Sequence, residues 1–223
     1  MDNFPIELES QPFPFELDSI INAILDKAES APTPYFVHML GIPGSGKSTV
    51  ARELANALSF RQPVFVAFDK IMEAIPAYQD EKNKVAAFET FELPARQAGY
   101  VLIHRLLTNK SDMLLDHGGS PKEHPDLLKF AKINFGYRCF VVHVKSSLET
   151  AKERILIRSR VEGRHTPPHY VDERNEAINN LIPAYKNQCV NFFELVNETE
   201  EDQETINQKR IPEIVRIIEN SAI

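Results

Sequence analysis

The sequence predicts one α/β domain, a mostly parallel sheet with helices on both faces, and three observations carry that expectation. An apolar run, Tyr35–Leu40, enters a glycine-rich turn and leaves as an amphipathic stretch with Val50, Leu54, Ala55 and Leu58 on one face. Residues 139–144 (Cys-Phe-Val-Val-His-Val) are nearly continuous in apolar character, as strands of a parallel sheet covered on both sides are. A chain of 223 residues with 43% hydrophobic content can bury one sizeable core and has little room for a second. The expected organisation is an N-terminal arm and helix over 1–34 packed on the core, followed by one nucleotide-binding domain over 35–223.

The turn after the first strand reads Gly41-Ile42-Pro43-Gly44-Ser45-Gly46-Lys47-Ser48, a complete G-x-x-x-x-G-K-[ST] phosphate loop. Glycines let successive backbone N–H groups point inward at phosphate oxygens, and the positive end of the following helix adds to the attraction. On this chemistry Gly41, Gly44, Ser45 and Gly46 form the cradle and Lys47 reaches the β- and γ-phosphates. Ser48 places its hydroxyl on Mg²⁺, and Thr49 touches the α-phosphate. The fold expected is therefore that of the P-loop NTPases, kinase-like.

In chain order, residues 15–29 have helical spacing (Leu17, Ile20, Ile21, Ile24, Leu25) and are stopped by Ala31-Pro-Thr-Pro34. Residues 64–68 read as a buried strand ending on Asp69. An acid at a strand's carboxyl end has two readings, a group acting on ligand in the crevice and the N-cap of the next helix. Residues 74–92 are polar and weakly periodic, which suggests a mobile segment over a substrate. A helix is expected over 93–107, then a short strand, Met113–Leu115, ending in Asp116-His-Gly-Gly119. Asp116 is a candidate Mg²⁺ ligand, direct or through water, set against a simple Asp-Gly-Gly turn. Ser146-Ser-Leu-Glu149 has capping-box form and starts a helix bearing Arg154, Arg158 and Arg160. That helix runs into the loop Gly163-Arg164-His-Thr-Pro167. Arg154 and Arg158 share a face, most simply a solvated one, but at least one of Arg158, Arg160 and Arg164 is expected to close over transferring phosphates. A helix over 173–185, a strand over 191–196 and a C-terminal helix over 212–220 complete the chain.

Composition narrows the function. A net charge of −7 disfavours a general nucleic-acid surface. The two cysteines, Cys139 and Cys189, are too far apart in sequence for a metal knuckle. No apolar run approaches the roughly 18 residues of a membrane span, and the acidic N-terminus is unlike a signal peptide, so a cytoplasmic location is expected. His165 and His169 have helical spacing, but Pro167 and Pro168 lie between them.

Taken together, the phosphate loop, Asp69 and the Gly163-Arg164-His-Thr-Pro167 loop resemble the zeta-toxin family of bacterial kinases. Pro94-Ala-Arg-Gln-Ala-Gly-Tyr100, Leu115-Asp116-His-Gly-Gly119 and Phe192-Phe-Glu-Leu-Val-Asn197 fit the same order. The likeness spans roughly residues 35–197. It implies transfer of the ATP γ-phosphate to a small-molecule hydroxyl, in that family best known on UDP-N-acetylglucosamine. It also implies ATP and Mg²⁺ as cofactors and an antitoxin as a protein partner. On the resemblance, Lys47 and Ser48 hold phosphate and metal, Asp69 is the base on the acceptor, and Arg158 and Arg164 neutralise the transferring group. The sequence departs from the family in carrying Asp116 where Glu is usual.

Three rivals stand beside this reading. One is a GTPase switch, suggested by Asn109-Lys-Ser-Asp112 (N-K-x-D) and Asp116-His-Gly-Gly119 (D-x-x-G), although the two occur in reverse order. The others are a non-catalytic nucleotide-binding adaptor and a nucleoside or polynucleotide 5′-hydroxyl kinase. The last needs an aromatic-lined basic groove.

Overall fold

The computed structural model describes residues 3–8, 13–162 and 167–222. Five strands, β1 (Tyr35–Leu40), β2 (Val64–Val66), β3 (Met113–Leu115), β4 (Arg138–Lys145) and β5 (Asn191–Val196), form one sheet in the order β2-β3-β1-β4-β5. Every pairing is parallel; Phe36 stands opposite Met113 on one side and Cys139 on the other. The helices are α1 (Leu17–Leu25), α2 (Lys47–Ala57), α3 (Phe68–Glu73), α4 (Pro76–Asp80), α5 (Lys84–Asn109), α6 (His124–Phe135), α7 (Leu148–Glu162), α8 (Pro168–Gln188), α9 (Glu200–Thr205) and α10 (Ile211–Ala222). A π-helical turn, Ile206–Arg210, joins the last two. None of these helices is long and apolar enough to cross a membrane.

Alternation along the central strand divides the core. Phe36 and Leu40 face Leu17 and Ile21 of α1, Leu102 and Leu106 of α5 and Leu127 of α6. Tyr35, Val37 and Met39 face Val50 and Leu54 of α2 and Ile214 and Ile218 of α10. A strand buried on both sides has no polar face to show, which explains the unbroken apolar runs. The N-terminal arm joins the first of these cores: Phe4 sits edge-on to His104 (5.0 Å) and Phe130 (5.5 Å), with Ile6 and Leu8 beside it.

Several boundaries differ from expectation. The first helix starts only at Leu17, because Phe15 and Glu16 both adopt left-handed backbone (φ 61°). Residues 74–92 are not an irregular cover; they hold α4 and the first turns of α5, whose start is capped by the Asn83 side chain accepting from the Val85 and Ala86 N–H groups. Val85 and Phe88 face solvent there, which blurs the apolar stripe. Ser147 does cap α7, accepting from Thr150 N–H, but its own N–H is taken by Glu198 from beyond β5 rather than by Glu149. The polar stretch after β5 is helical because Thr199 and Asp202 form a capping box.

The Asn109–Asp112 segment lies at the start of β3, the opposite end of the parallel sheet from the phosphate loop that follows β1. Asp112 accepts the Tyr35 N–H (2.8 Å) and pairs with Arg61 (2.9 Å), so it anchors the floor of the sheet and cannot reach a nucleotide base. Burial pushes the Asp112 carboxyl up to about 6, outweighing the Tyr35 hydrogen bond and the Arg61 charge, which pull it down. A carboxyl raised on folding binds its proton more tightly in the native state, so it adds stability as pH falls from about 6 towards 4. The wild-type protein should therefore gain about 1 kcal/mol relative to Asp112→Asn between pH 7.5 and pH 5, measured by urea unfolding at each pH. A constant difference across that range would refute the assignment.

Candidate active site

The phosphate loop runs from Leu40 at the end of β1 to Lys47 at the start of α2. Gly44 and Gly46 adopt positive φ (85° and 83°), and neither has room for a side chain. A Cβ on Gly44 would lie 2.3 Å from the Ala151 carbonyl, and one on Gly46 would lie 2.2 Å from the Asn197 amide nitrogen. The loop is thus pressed between α7 and the residue that follows β5. Among the described residues the N–H groups of Gly44, Gly46, Lys47 and Ser48 have no acceptor, while the next two, of Thr49 and Val50, bond back to Gly46. Four convergent open donors beside a lysine are what a chain of phosphate oxygens requires. Ser48 and Thr49 are exposed on the same turn.

Lys47 Nζ lies 2.9 Å from Asp116 Oδ1, so the structure brings these two expected site residues together. Asp116 follows β3 and is held from both sides. Its N–H donates to Val66 of β2 (2.8 Å), and two residues on, the Gly118 carbonyl accepts the Gly41 N–H (3.2 Å). Asp116 is 8% exposed and Lys47 15%. A hard carboxylate oxygen set beside an exposed Ser48 hydroxyl turn fits Mg²⁺, which takes oxygen ligands and keeps several waters.

Asp69 does not end a strand. β2 stops at Val66, Ala67 is the N-cap of α3, and Asp69 sits half-buried in that helix's first turn. Both of its sequence readings are corrected in position. It is one residue into the helix beyond Phe68, whose ring packs on Tyr100 (4.9 Å) and His117 (5.3 Å) and so pins the turn to the residues after β3.

The arginines of α7 separate. Arg154 donates to the carbonyls of Asn197 (2.9 Å), Glu198 (3.1 Å) and Gly44 (3.4 Å), and so clamps the phosphate loop to the segment after β5. Arg158, one turn further along that face, is half-buried, and Arg160 is exposed. Arg164 lies outside the described residues, as do Gly163, His165 and Thr166.

Three features were not foreseen. The first is a buried one-way hydrogen-bond chain. His38 Nδ1–H donates to the Met39 carbonyl (2.8 Å), which leaves its Nε2 to accept from His124 Nδ1–H (2.7 Å). His124 Nε2 in turn accepts the Tyr100 hydroxyl (2.9 Å). Burial holds all of them neutral, lowering His38 to about 4 and His124 well below its ordinary range while raising Tyr100 to about 12. The second is Asn197, whose side chain donates to the Ser45 carbonyl (2.9 Å) from the far end of the chain. The third is Arg174 on α8, which reaches Ser120 (2.8 Å) in the loop after Asp116. The only sequence signal for Arg174 is its i, i+4 spacing from Tyr170, over whose ring it stacks at 4.3 Å.

A family model described as zeta toxin matches residues 21–210. A chain of the PezAT chromosomal toxin–antitoxin system of Streptococcus pneumoniae superposes with a TM-score of 0.66 at 14% identity, covering 97% of each chain. Shikimate kinase from Acinetobacter baumannii, solved with shikimate, superposes with a TM-score of 0.52 at 18% identity, covering 86% of this chain and 96% of that one. At such identities these structures show the shared P-loop kinase fold. A search of curated proteins finds no significant match.

Proposed function

The chain belongs to the zeta toxin family, and on that premise we propose that it is an ATP- and Mg²⁺-dependent kinase transferring the γ-phosphate to a hydroxyl of a small molecule, a UDP-N-acetyl-sugar among the candidates. One observation carries the proposal: four unpaired backbone donors converge beside the Lys47–Asp116 pair at the carboxyl end of a central parallel strand. Open α/β sheets hold their ligands at that position.

The division of labour follows from where the residues lie. The N–H groups of Gly44, Gly46, Lys47 and Ser48 grip the phosphate chain, and Lys47 exchanges Asp116 for the β- and γ-oxygens. Ser48 and Asp116 would hold Mg²⁺, which when bound neutralises charge building on those oxygens. Asp69, in the α3 turn braced by Phe68, takes the acceptor's proton. Arg158 and Arg164 meet the transferring group, while Arg154 sets the loop that receives the nucleotide. Phosphoryl transfer needs alignment and charge neutralisation more than covalent chemistry, so few residues suffice. The similarity to a chain of a toxin–antitoxin system supports a protein antitoxin as partner.

The test is a metabolite extract incubated with the protein, Mg²⁺ and ATP labelled in the γ-phosphate, analysed by mass spectrometry. The expected result is one class of hydroxyl compound that gains a labelled phosphoryl group. Hydrolysis of ATP without any labelled organic product would remove the kinase reading.

A further inference from the structure

Lys47, Asp116 and Asp69 come to the proposed reaction from three separate segments, and one set of buried rings touches all three. Phe68, the residue before Asp69, lies 4.9 Å from the ring of Tyr100 on α5 and 5.3 Å from that of His117, the residue after Asp116. Tyr100 and His117 in turn both meet His124 of α6, with ring centroids 5.9 Å and 4.6 Å away. The four rings thus close a circuit. On α5 a glycine makes way for it: a Cβ on Gly99 would lie 2.3 Å from Phe68 Cδ1.

Hydrogen bonds tie the circuit to β1, the strand that opens into the phosphate loop. The Tyr100 hydroxyl donates to His124 Nε2 (2.9 Å), and His124 Nδ1 donates to His38 Nε2 (2.7 Å) on β1. Space filling does not require this chemistry. Both histidines are wholly buried and Tyr100 nearly so, and polar groups in an apolar core cost free energy unless their hydrogen bonds are made. Phenylalanine and leucine would fill the same space without that condition. What the bonds add is direction. Apolar cores repack with small losses of stability, whereas a chain of donors and acceptors holds each ring to one position. Reacting groups are sensitive to such placement, since an error of about 1 Å can cost roughly 10²-fold in rate.

We propose that Tyr100 and His124 are positioning residues for the Asp69 carboxylate. Through the ring of Phe68 they fix the α3 turn at a set distance from β1, and so hold the proton acceptor in register with the phosphate loop. The inference rests on the kinase reading and on Asp69 as its base; it adds what holds that base in place.

The experiment uses the full chain with Mg²⁺, saturating ATP labelled in the γ-phosphate and a fixed amount of metabolite extract, well below the melting temperature. Tyr100→Phe keeps a ring against Phe68 and removes only the bond to His124. It should slow formation of the labelled product at least about tenfold while ATP affinity stays within about twofold. In the Asp69→Asn background the same substitution should cost less than about twofold, because a residue that acts by placing a carboxylate has nothing left to place. Phe68→Leu, which breaks the ring contact and leaves the hydrogen bonds, should repeat both results and decides the matter if Tyr100→Phe does not fold. An unchanged rate in these variants, even with a lower melting temperature, would give the network to stability alone and overturn the proposal. A loss that multiplies with that of Asp69→Asn, or full activity of Asp69→Asn itself, would also overturn it. In each of these cases transfer by the wild type leaves the kinase reading standing. A wild type that labels no organic product would overturn both.

Discussion

Replacing Lys47 with Ala should abolish phosphoryl transfer, with a loss of at least about 10³-fold in kcat, and should weaken triphosphate binding by more than about tenfold. Lys47 is the only cation on the phosphate loop itself, and Arg154, the nearest basic side chain on that loop's other flank, is committed to three carbonyls. The sequence alone suggests a solvent-facing loop whose substitution leaves the ligand-free melting temperature in place. The structure changes that expectation. Lys47 balances Asp116, which is 8% exposed, and removing one member of such a pair strands the other. Lys47→Ala should therefore lose about 1–3 kcal/mol of stability without ligand. The double variant Lys47→Ala/Asp116→Ala should recover most of that stability and none of the activity. Calorimetric melting alongside a γ-phosphate transfer assay reads both. Retained turnover in Lys47→Ala would sink the kinase reading; a single variant as stable as wild type would sink the role of the ion pair.

Asp69→Asn should lower kcat by roughly 10²-fold or more while ATP affinity stays within a few-fold. Asparagine keeps the shape and hydrogen bonding of aspartate but cannot take the acceptor's proton. The structure sharpens this test, because Ala67 rather than Asp69 is the cap residue of α3. A cap role therefore no longer competes, and what remains is the attraction of a carboxylate to the first turn, worth about 0.3–1 kcal/mol. A small loss of stability with full activity would assign Asp69 to the helix; a catalytic collapse with unchanged melting would assign it to the reaction. Initial rates at saturating ATP, with the acceptor identified from the metabolite extract, decide between them.

Much of the architecture was legible because its signals are local. β1, β3 and β4 are nearly continuous apolar runs bounded by turn residues, and the phosphate loop is specified residue by residue by what backbone must do around phosphate. The misses have physical causes. Phe68 reads as strand because an apolar residue after Val-Phe-Val continues the run, yet it begins α3, with its ring packed on Tyr100 and His117. The first turns of α5 carry Val85 and Phe88 on the solvent side, so no apolar stripe announces them. Local geometry was legible where one segment supplies it, as in the glycine turn of the phosphate loop. It was illegible where partners meet across the sheet. Nothing in the sequence near Asn197 says that its amide faces Ser45, nor does anything near His38 say that His124 lies opposite. Long-range hydrogen bonds leave no local pattern.

The clamp formed by Arg154 and Asn197 also sets an order of events in the life of the chain. The phosphate loop is translated well before the residue that holds its Ser45 carbonyl, which lies 152 positions later. At about 5–20 residues per second, roughly 8–30 s separate the synthesis of the two. During that interval the nascent polypeptide carries the whole nucleotide motif with one wall of its cradle missing. The finished nucleotide cradle exists only once β5 and the residue that follows it have been made.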